Sequence, residues 1–171
     1  MITDKHIKLI ETARQYIGTH HDVKGNKLIE KWLASVNRDL YINDTEYTAY
    51  CAAFVSQMLT EAGIDNKVHK SAGSLEIWNR TPKELRVQKA YKGCLFVWDF
   101  GGGKGHIGFC DTELPNNKML TIEGNTKNPN IKNEPNVSER DGGWVLQKER
   151  TNLITKSGKI NILGFIDPYK L

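Results

Sequence analysis

The sequence predicts an α+β domain in which N-terminal helices pack on an antiparallel sheet of about six strands. Two observations carry that prediction. Up to about residue 80, apolar residues recur at helical spacing; from about residue 85 they fall into short runs separated by glycine and polar turns. Helices first and strands second favour an antiparallel sheet over alternating βαβ units. The 171 residues amount to one domain of ordinary globular balance, 26% charged and 39% hydrophobic, with no apolar stretch approaching the ~18 residues of a membrane span.

The elements follow in order. Ile7, Ile10, Ala13 or Arg14, and Ile17 mark an apolar face over residues 4–17, with Thr3 as cap and Gly18 as stop. After the polar link THHDVKGNK, a second short helix is marked by Leu28, Ile29, Trp32, Leu33 and Val36, and residues 37–45 read as a polar turn. The clearest helix places Cys51, Ala52, Val55, Met58, Leu59 and Ala62 on one face, with Thr48 as cap and Gly63 as stop. A further short helix spans Ser74–Arg80, before Pro82. The six candidate strands are Leu85–Gln88, Cys94–Phe100, His106–Asp111, Met119–Glu123, Gly143–Glu149 and Ile160–Ile166. The FGGGKG segment joins two of them as a hairpin with a loop longer than two residues. Residues 125–142 form one long irregular stretch, with five asparagines and two prolines among 18 positions, a length typical of functional or mobile loops.

Charge and cysteine content exclude several function classes. Lysine and arginine exceed aspartate and glutamate by 24 to 20, a net charge of +4, and the cations are scattered without a run of five. That pattern does not favour nucleic acid, although a mildly basic surface attracts anionic polymers in general. Cys51, Cys94 and Cys110 include no C-x-x-C pair, so neither a disulfide scaffold nor a zinc ribbon is expected, and Cys94 and Cys110 read as buried thiols on adjacent strands. The N-terminus is charged from Asp4 onward and reads as the start of a helix, with no secretory signal.

Three local signals converge on one chemistry. Cys51 opens a helix, where unpaired N–H groups and the helix dipole favour a thiolate. His106 starts a strand between small residues, in Gly105-His106-Ile107-Gly108, which lets another chain approach its imidazole and makes it the candidate base. The other histidines, His6, His20, His21 and His69, lie in polar contexts and read as solvated surface residues. Glu123 and Asn125, two apart at the end of the next strand, are placed to orient the imidazole. The glycines at 101–105 do not make a phosphate loop, because no Ser or Thr follows Lys104. Of the tryptophans, Trp78 and Trp98 are candidates to wall a groove.

With these motifs the chain resembles the CHAP family, the cysteine- and histidine-dependent amidohydrolase/peptidase domains of bacterial and phage cell-wall lysis enzymes. The likeness rests on Tyr50-Cys51-Ala52-Ala53-Phe54-Val55, on Gly105-His106-Ile107-Gly108-Phe109, and on Glu123-Gly124-Asn125, and its lead-in is similar to the phage-associated branch. Where the family commonly carries Gly-Asp, this chain has Gly93-Cys94. The resemblance implies a papain-like fold over residues 1–171 as a single domain, and hydrolysis of peptidoglycan amides by an amidase or an endopeptidase. It implies Cys51 as nucleophile, His106 as base, Glu123 as orienter, and Asn125 as second orienter or substrate contact, with Tyr50, Trp78 and Gly105 at the substrate. No cofactor is expected, and the absence of a D-x-D-x-D-G loop leaves no expected metal site.

The expected partners are bacterial peptidoglycan and an immunity or delivery protein, with the chain acting as a monomer. It would be made in the cytoplasm and reach the wall or periplasm by phage-type release or injection. Two other readings remain open on sequence: a non-catalytic wall- or protein-binding module of the same fold, and a thiol peptidase acting on an amide outside the wall.

Overall fold

The computed structural model describes residues 1–21, 26–40, 48–63, 65–131, 141–151 and 161–170. Four helices precede and flank a six-stranded sheet, as the order of sequence patterns predicts. Helix α1 (Asp4–Arg14) is capped by Thr3 and buries His6, Leu9, Ile10 and Ala13. The buried stripe is therefore rotated from the expected one: Ile7 and Ile17 are each 41% exposed, and His6 takes a core position because a buried carboxylate, Asp167, receives it.

Helix α2 (Asn26–Ala34) buries Ile29, Trp32 and Leu33. It ends in a Schellman motif at Asn37 (φ +58°), where the Arg38 N–H reaches the Leu33 carbonyl and the Asn37 N–H reaches Ala34.

Helix α3 (Cys51–Glu61) is the hub, buried on every side from Cys51 to Leu59. Small residues at Ala52 and Ala53 let neighbours approach, while Phe54 packs edge-on against Phe109 of the sheet and obliquely against Trp32. Thr48, expected as its cap, is spent elsewhere, donating its hydroxyl to the Asp39 carbonyl; the residue at the N-cap is Tyr50. Helix α4 (Ser74–Arg80) matches its predicted span, and a short 3-10 turn at Lys83–Leu85 follows.

The strands are β1 (Arg86–Val87), β2 (Leu95–Gly101), β3 (Lys104–Leu114), β4 (Lys118–Thr126), β5 (Trp144–Thr151) and β6 (Asn161–Ile166). Their spatial order is β1-β6-β2-β3-β4-β5, with every neighbour antiparallel. Thus β2 to β5 form a meander, and β6 returns to the far side of β2. Alternation divides the sheet into two faces. Leu95, Val97, Ile107, Phe109 and Ile122 join the helices in the main core, while Phe96, Trp98, Cys110, Met119 and Phe165 form a second cluster.

One hairpin departs from expectation. Gly101 pairs with Lys104, so the β2–β3 turn is two residues, Gly102 and Gly103, both with positive φ (61° and 77°). Those angles suit a tight primed turn whose twist matches the strands. Residues 132–140 of the predicted long loop lie outside the described residues, as does Ile160 of the sixth candidate strand. Among the described residues no helix is long and apolar enough to cross a membrane.

Candidate active site

Cys51 is the first residue of α3, so its own N–H belongs to the helix turn that has no intrahelical acceptor. Its side chain is 3% exposed and borders a groove of about 260 Å³ lined by Ala49, Ser74, Leu75, Gly103 and Gly105. The glycine at 105 is a packing requirement as well as a groove wall. A Cβ there would stand 2.6 Å from the Ser74 hydroxyl and 2.8 Å from Leu75, so a larger residue would push α4 off the strand.

His106, on β3, is completely buried, its ring tilted against those of Phe96 and Trp98 at 6.0 and 5.8 Å. Its Nε2 lies 3.0 Å from Glu123 Oε2. An ionised carboxylate only accepts, so this contact puts a proton on Nε2, and Nδ1 is the nitrogen that carries the lone pair when the ring is neutral. Nδ1 is buried with no partner in full hydrogen-bond geometry, and the group that acts on the ring from outside the Glu123 pair is the Cys51 thiol. Burial opposes charge on the ring, but Cys51 and then Glu123 more than offset it, raising the pKa from 6.5 to about 9.

Glu123 is also fully buried and saturated with donors. Arg150 on β5 grips it in a fork, Nε to Oε1 and Nη2 to Oε2, both at 2.8 Å. Thr121 donates to Oε1 at 2.5 Å and Thr126 to Oε2 at 3.1 Å. Burial by itself would raise the carboxyl pKa; the Arg150 hydrogen bonds, followed by His106, hold it far below the usual range. The Arg150 guanidinium in turn lies over the Trp98 ring, 4.8 Å from its centroid. The result is a buried line from thiol to imidazole to carboxylate to guanidinium, walled on one side by tryptophan.

The other predicted site residues separate. Asn125 is fully buried with φ +57°, inside a bulge between Glu123 and Thr126, so simple strand alternation does not place it beside Glu123. Gly105 lines the groove as expected. Tyr50 does not present its side chain to the groove: it is fully buried, with its hydroxyl donated to the Gly143 carbonyl at 2.7 Å, because the residue before α3 packs beside Trp32. Trp78 also lies outside the groove lining, its ring covered by the Arg86 guanidinium at 4.0 Å. Trp98 walls the histidine instead of an open groove.

Two of the histidines read as surface residues are in fact buried, His6 and His21. Sequence reasoning missed Arg150, along with Thr121 and Thr126. The signal for Arg150 was the alternation of Leu146, Lys148 and Arg150 on β5, one residue beyond the predicted end of that strand.

All three cysteines are thiols. Burial drives Cys94 up to about 12 and Cys110 well above its ordinary value, so neither forms a thiolate near neutral pH. Among the described residues no three His, Cys, Asp or Glu side chains are grouped to hold a metal ion.

Residues 41–125, which span the helix that Cys51 opens, both strands of the histidine hairpin and the Glu123–Asn125 pair, match the family model described as the CHAP domain. No curated protein matches the chain.

Proposed function

Because the chain belongs to the CHAP family through residues 41–125, we propose that it hydrolyses an amide bond of peptidoglycan with Cys51 as nucleophile. The family supports peptidoglycan hydrolase, amidase or peptidase activity in general. The finer reading is cleavage either of the N-acetylmuramoyl-L-alanine amide or of a peptide bond in the stem or cross-bridge. The observation that carries it is the buried His106, one nitrogen held by Glu123 and the other left to the Cys51 thiol.

In this reading the Cys51 proton already rests on Nδ1 of His106, whose raised pKa favours the imidazolium, and the thiolate attacks the scissile carbonyl carbon. The oxyanion meets the Cys51 N–H at the start of α3, where the helix dipole favours negative charge. As the tetrahedral adduct collapses, the C–N bond breaks and Nδ1–H protonates the departing amine, leaving a thioester. Water, deprotonated by the same nitrogen, then attacks the thioester, releasing the acid and restoring the thiol. Glu123 keeps the imidazole in one tautomer and offsets its charge throughout, while Arg150 and the two threonines fix the carboxylate.

Residues 1–171 act as a single catalytic domain that reaches the wall by phage-type release or injection, with an immunity or delivery protein as partner. The test is digestion of purified peptidoglycan by wild type and by Cys51→Ala, with soluble products identified by mass spectrometry. Products from wild type alone support the reading, and their new termini name the bond. Walls of several chemotypes left intact by wild type would refute it.

A further inference from the structure

A second groove, of about 340 Å³, adjoins the one beside Cys51; both are lined by Ala72 and Glu76. Its remaining wall carries four basic side chains, Arg38, His69, Lys70 and Arg80. Among the described residues Glu76 is the one carboxylate in that lining, and its charge is already committed. Its Oε2 accepts from the Ser71 hydroxyl at 2.6 Å, and its Oε1 lies 3.0 Å from Arg80 and 3.4 Å from His69. Arg38 and Lys70 have no ion-pair or hydrogen-bond partner for their side chains among the described residues.

The backbones that carry these two cations are firmly placed. The Schellman motif closing α2 fixes Arg38 by its own N–H. Lys70 sits between His69, whose N–H is held by the Thr81 hydroxyl at 3.0 Å, and Ser71, whose N–H is held by the Ser56 hydroxyl at 3.1 Å. Two cations anchored on separate segments, lining a cavity whose one carboxylate among the described residues is already paired, form a binding site for negative charge.

We propose that the Arg38–Lys70 groove is a subsite for a free carboxylate of the same peptide whose amide lies at Cys51. This deepens the proposed function and rests on it. The two grooves adjoin across Ala72 and Glu76, so a segment laid over that wall from the scissile bond meets the cations after passing Ala72. An acidic stem peptide supplies such a carboxylate on the substrate itself. A separate anionic polymer would instead occupy the groove without regard to what lies at Cys51.

The test compares two soluble synthetic muropeptides that differ only in whether the acidic stem residue carries a free carboxylate or an amide. Binding is measured by calorimetry on Cys51→Ala, with and without the further changes Arg38→Gln and Lys70→Gln, and turnover is measured on the chain with Cys51 intact. The expected result is about tenfold tighter binding of the carboxylate form, a preference that disappears in the Arg38→Gln/Lys70→Gln background and weakens with salt. In turnover the same double change raises KM for the carboxylate form about tenfold and leaves kcat within about twofold. Equal binding of the two forms, or equal loss of both on substitution, overturns the proposal. So does displacement by a phosphodiester polymer at concentrations where the two muropeptides are treated alike. Carboxylate-selective binding without hydrolysis by the intact chain would uphold the subsite while removing the proposed reaction.

Discussion

The chain contains two buried histidine–carboxylate pairs that look alike until the second ring nitrogen is considered. At the site, His106 Nε2 meets Glu123 at 3.0 Å; at the other pair, His6 Nε2 meets Asp167 at 2.9 Å. Each carboxylate has further donors: Arg150 and two threonines for Glu123, and the Tyr91 hydroxyl and Tyr169 N–H for Asp167. The difference lies at Nδ1. In His6 it accepts the Thr3 N–H at 3.1 Å and lies 2.9 Å from the Thr3 hydroxyl, which closes the ring into the cap of α1. In His106 it is left to Cys51. A histidine–carboxylate pair is thus no mark of catalysis in itself; one holds the first helix to the end of the last strand, and the other keeps a nitrogen for the chemistry proposed above.

The comparison breaks most visibly if function and stability fail to separate. His106→Ala and Cys51→Ala should each lower hydrolysis by about a thousandfold or more, read as soluble product per unit time. His6→Ala should leave kcat within about twofold yet lower the urea-derived stability by about 3 kcal/mol, because Asp167 and Tyr91 would lose a buried partner. A catalytic loss on His6→Ala, with stability intact, would overturn the distinction.

Next in size is Glu123→Gln, which should lower kcat about a hundredfold. It also removes the carboxylate charge that raises His106, so the alkaline limb of kcat/KM should move down from about pH 9. The same pair shapes stability. His106, raised in the fold, contributes fully below its ordinary 6.5 and loses that contribution as pH climbs through about 9. Glu123, lowered in the fold, contributes above its ordinary 4.5 and loses that contribution as pH falls below it. Chemical denaturation across pH should therefore show this contribution at full strength between about 4.5 and 6.5 in wild type, with its acidic edge missing and its alkaline edge reduced in Glu123→Gln, where Cys51 still raises His106.

Arg150→Met should cost roughly tenfold in kcat and move the alkaline limb the opposite way, since a cation that opposes imidazolium is gone; Arg150→Lys should restore the limb but not the full rate. The smallest effect belongs to the third contrast, among thiols. Iodoacetamide at pH 7.5 should label Cys51 ahead of Cys94 and Cys110, as mapped by peptide mass spectrometry, and Cys94→Ser should change hydrolysis by less than about twofold.

The legible parts of this site were those written in adjacent residues. A cysteine opening an apolar helix, a histidine between glycines and an acid closing a strand are local patterns, and the structure brings Cys51, His106 and Glu123 together. Arg150 was not legible, because it reaches Glu123 only after β4 and β5 pair, 27 positions apart in sequence. The placing of Tyr50 and Trp78 was not legible for a related reason: an aromatic beside a motif does not reveal whether its ring meets solvent or a neighbouring side chain. For α1, isoleucines gave a helical stripe, yet the stripe that folds inward runs through His6, since a partner for a buried polar group offsets its desolvation. Bulges are similarly silent in sequence, and the one at Asn125 undid an argument based on strict alternation.

The two-residue turn at Gly102–Gly103 carries a consequence for how this chain can vary in length. Trp98 faces His106 across the hairpin because the register shifts between Asp99 and Gly101, so that a bulge stands between this pair and the turn. The pairing of β3 with β4 holds His106 on the side of Glu123, so a residue added at the tip, beyond the bulge, leaves the pair in place. Two added residues would only lengthen the ribbon. Insertions at this tip are therefore expected to spare the His106–Glu123 pair and to be felt instead at the groove wall, which Gly103 lines.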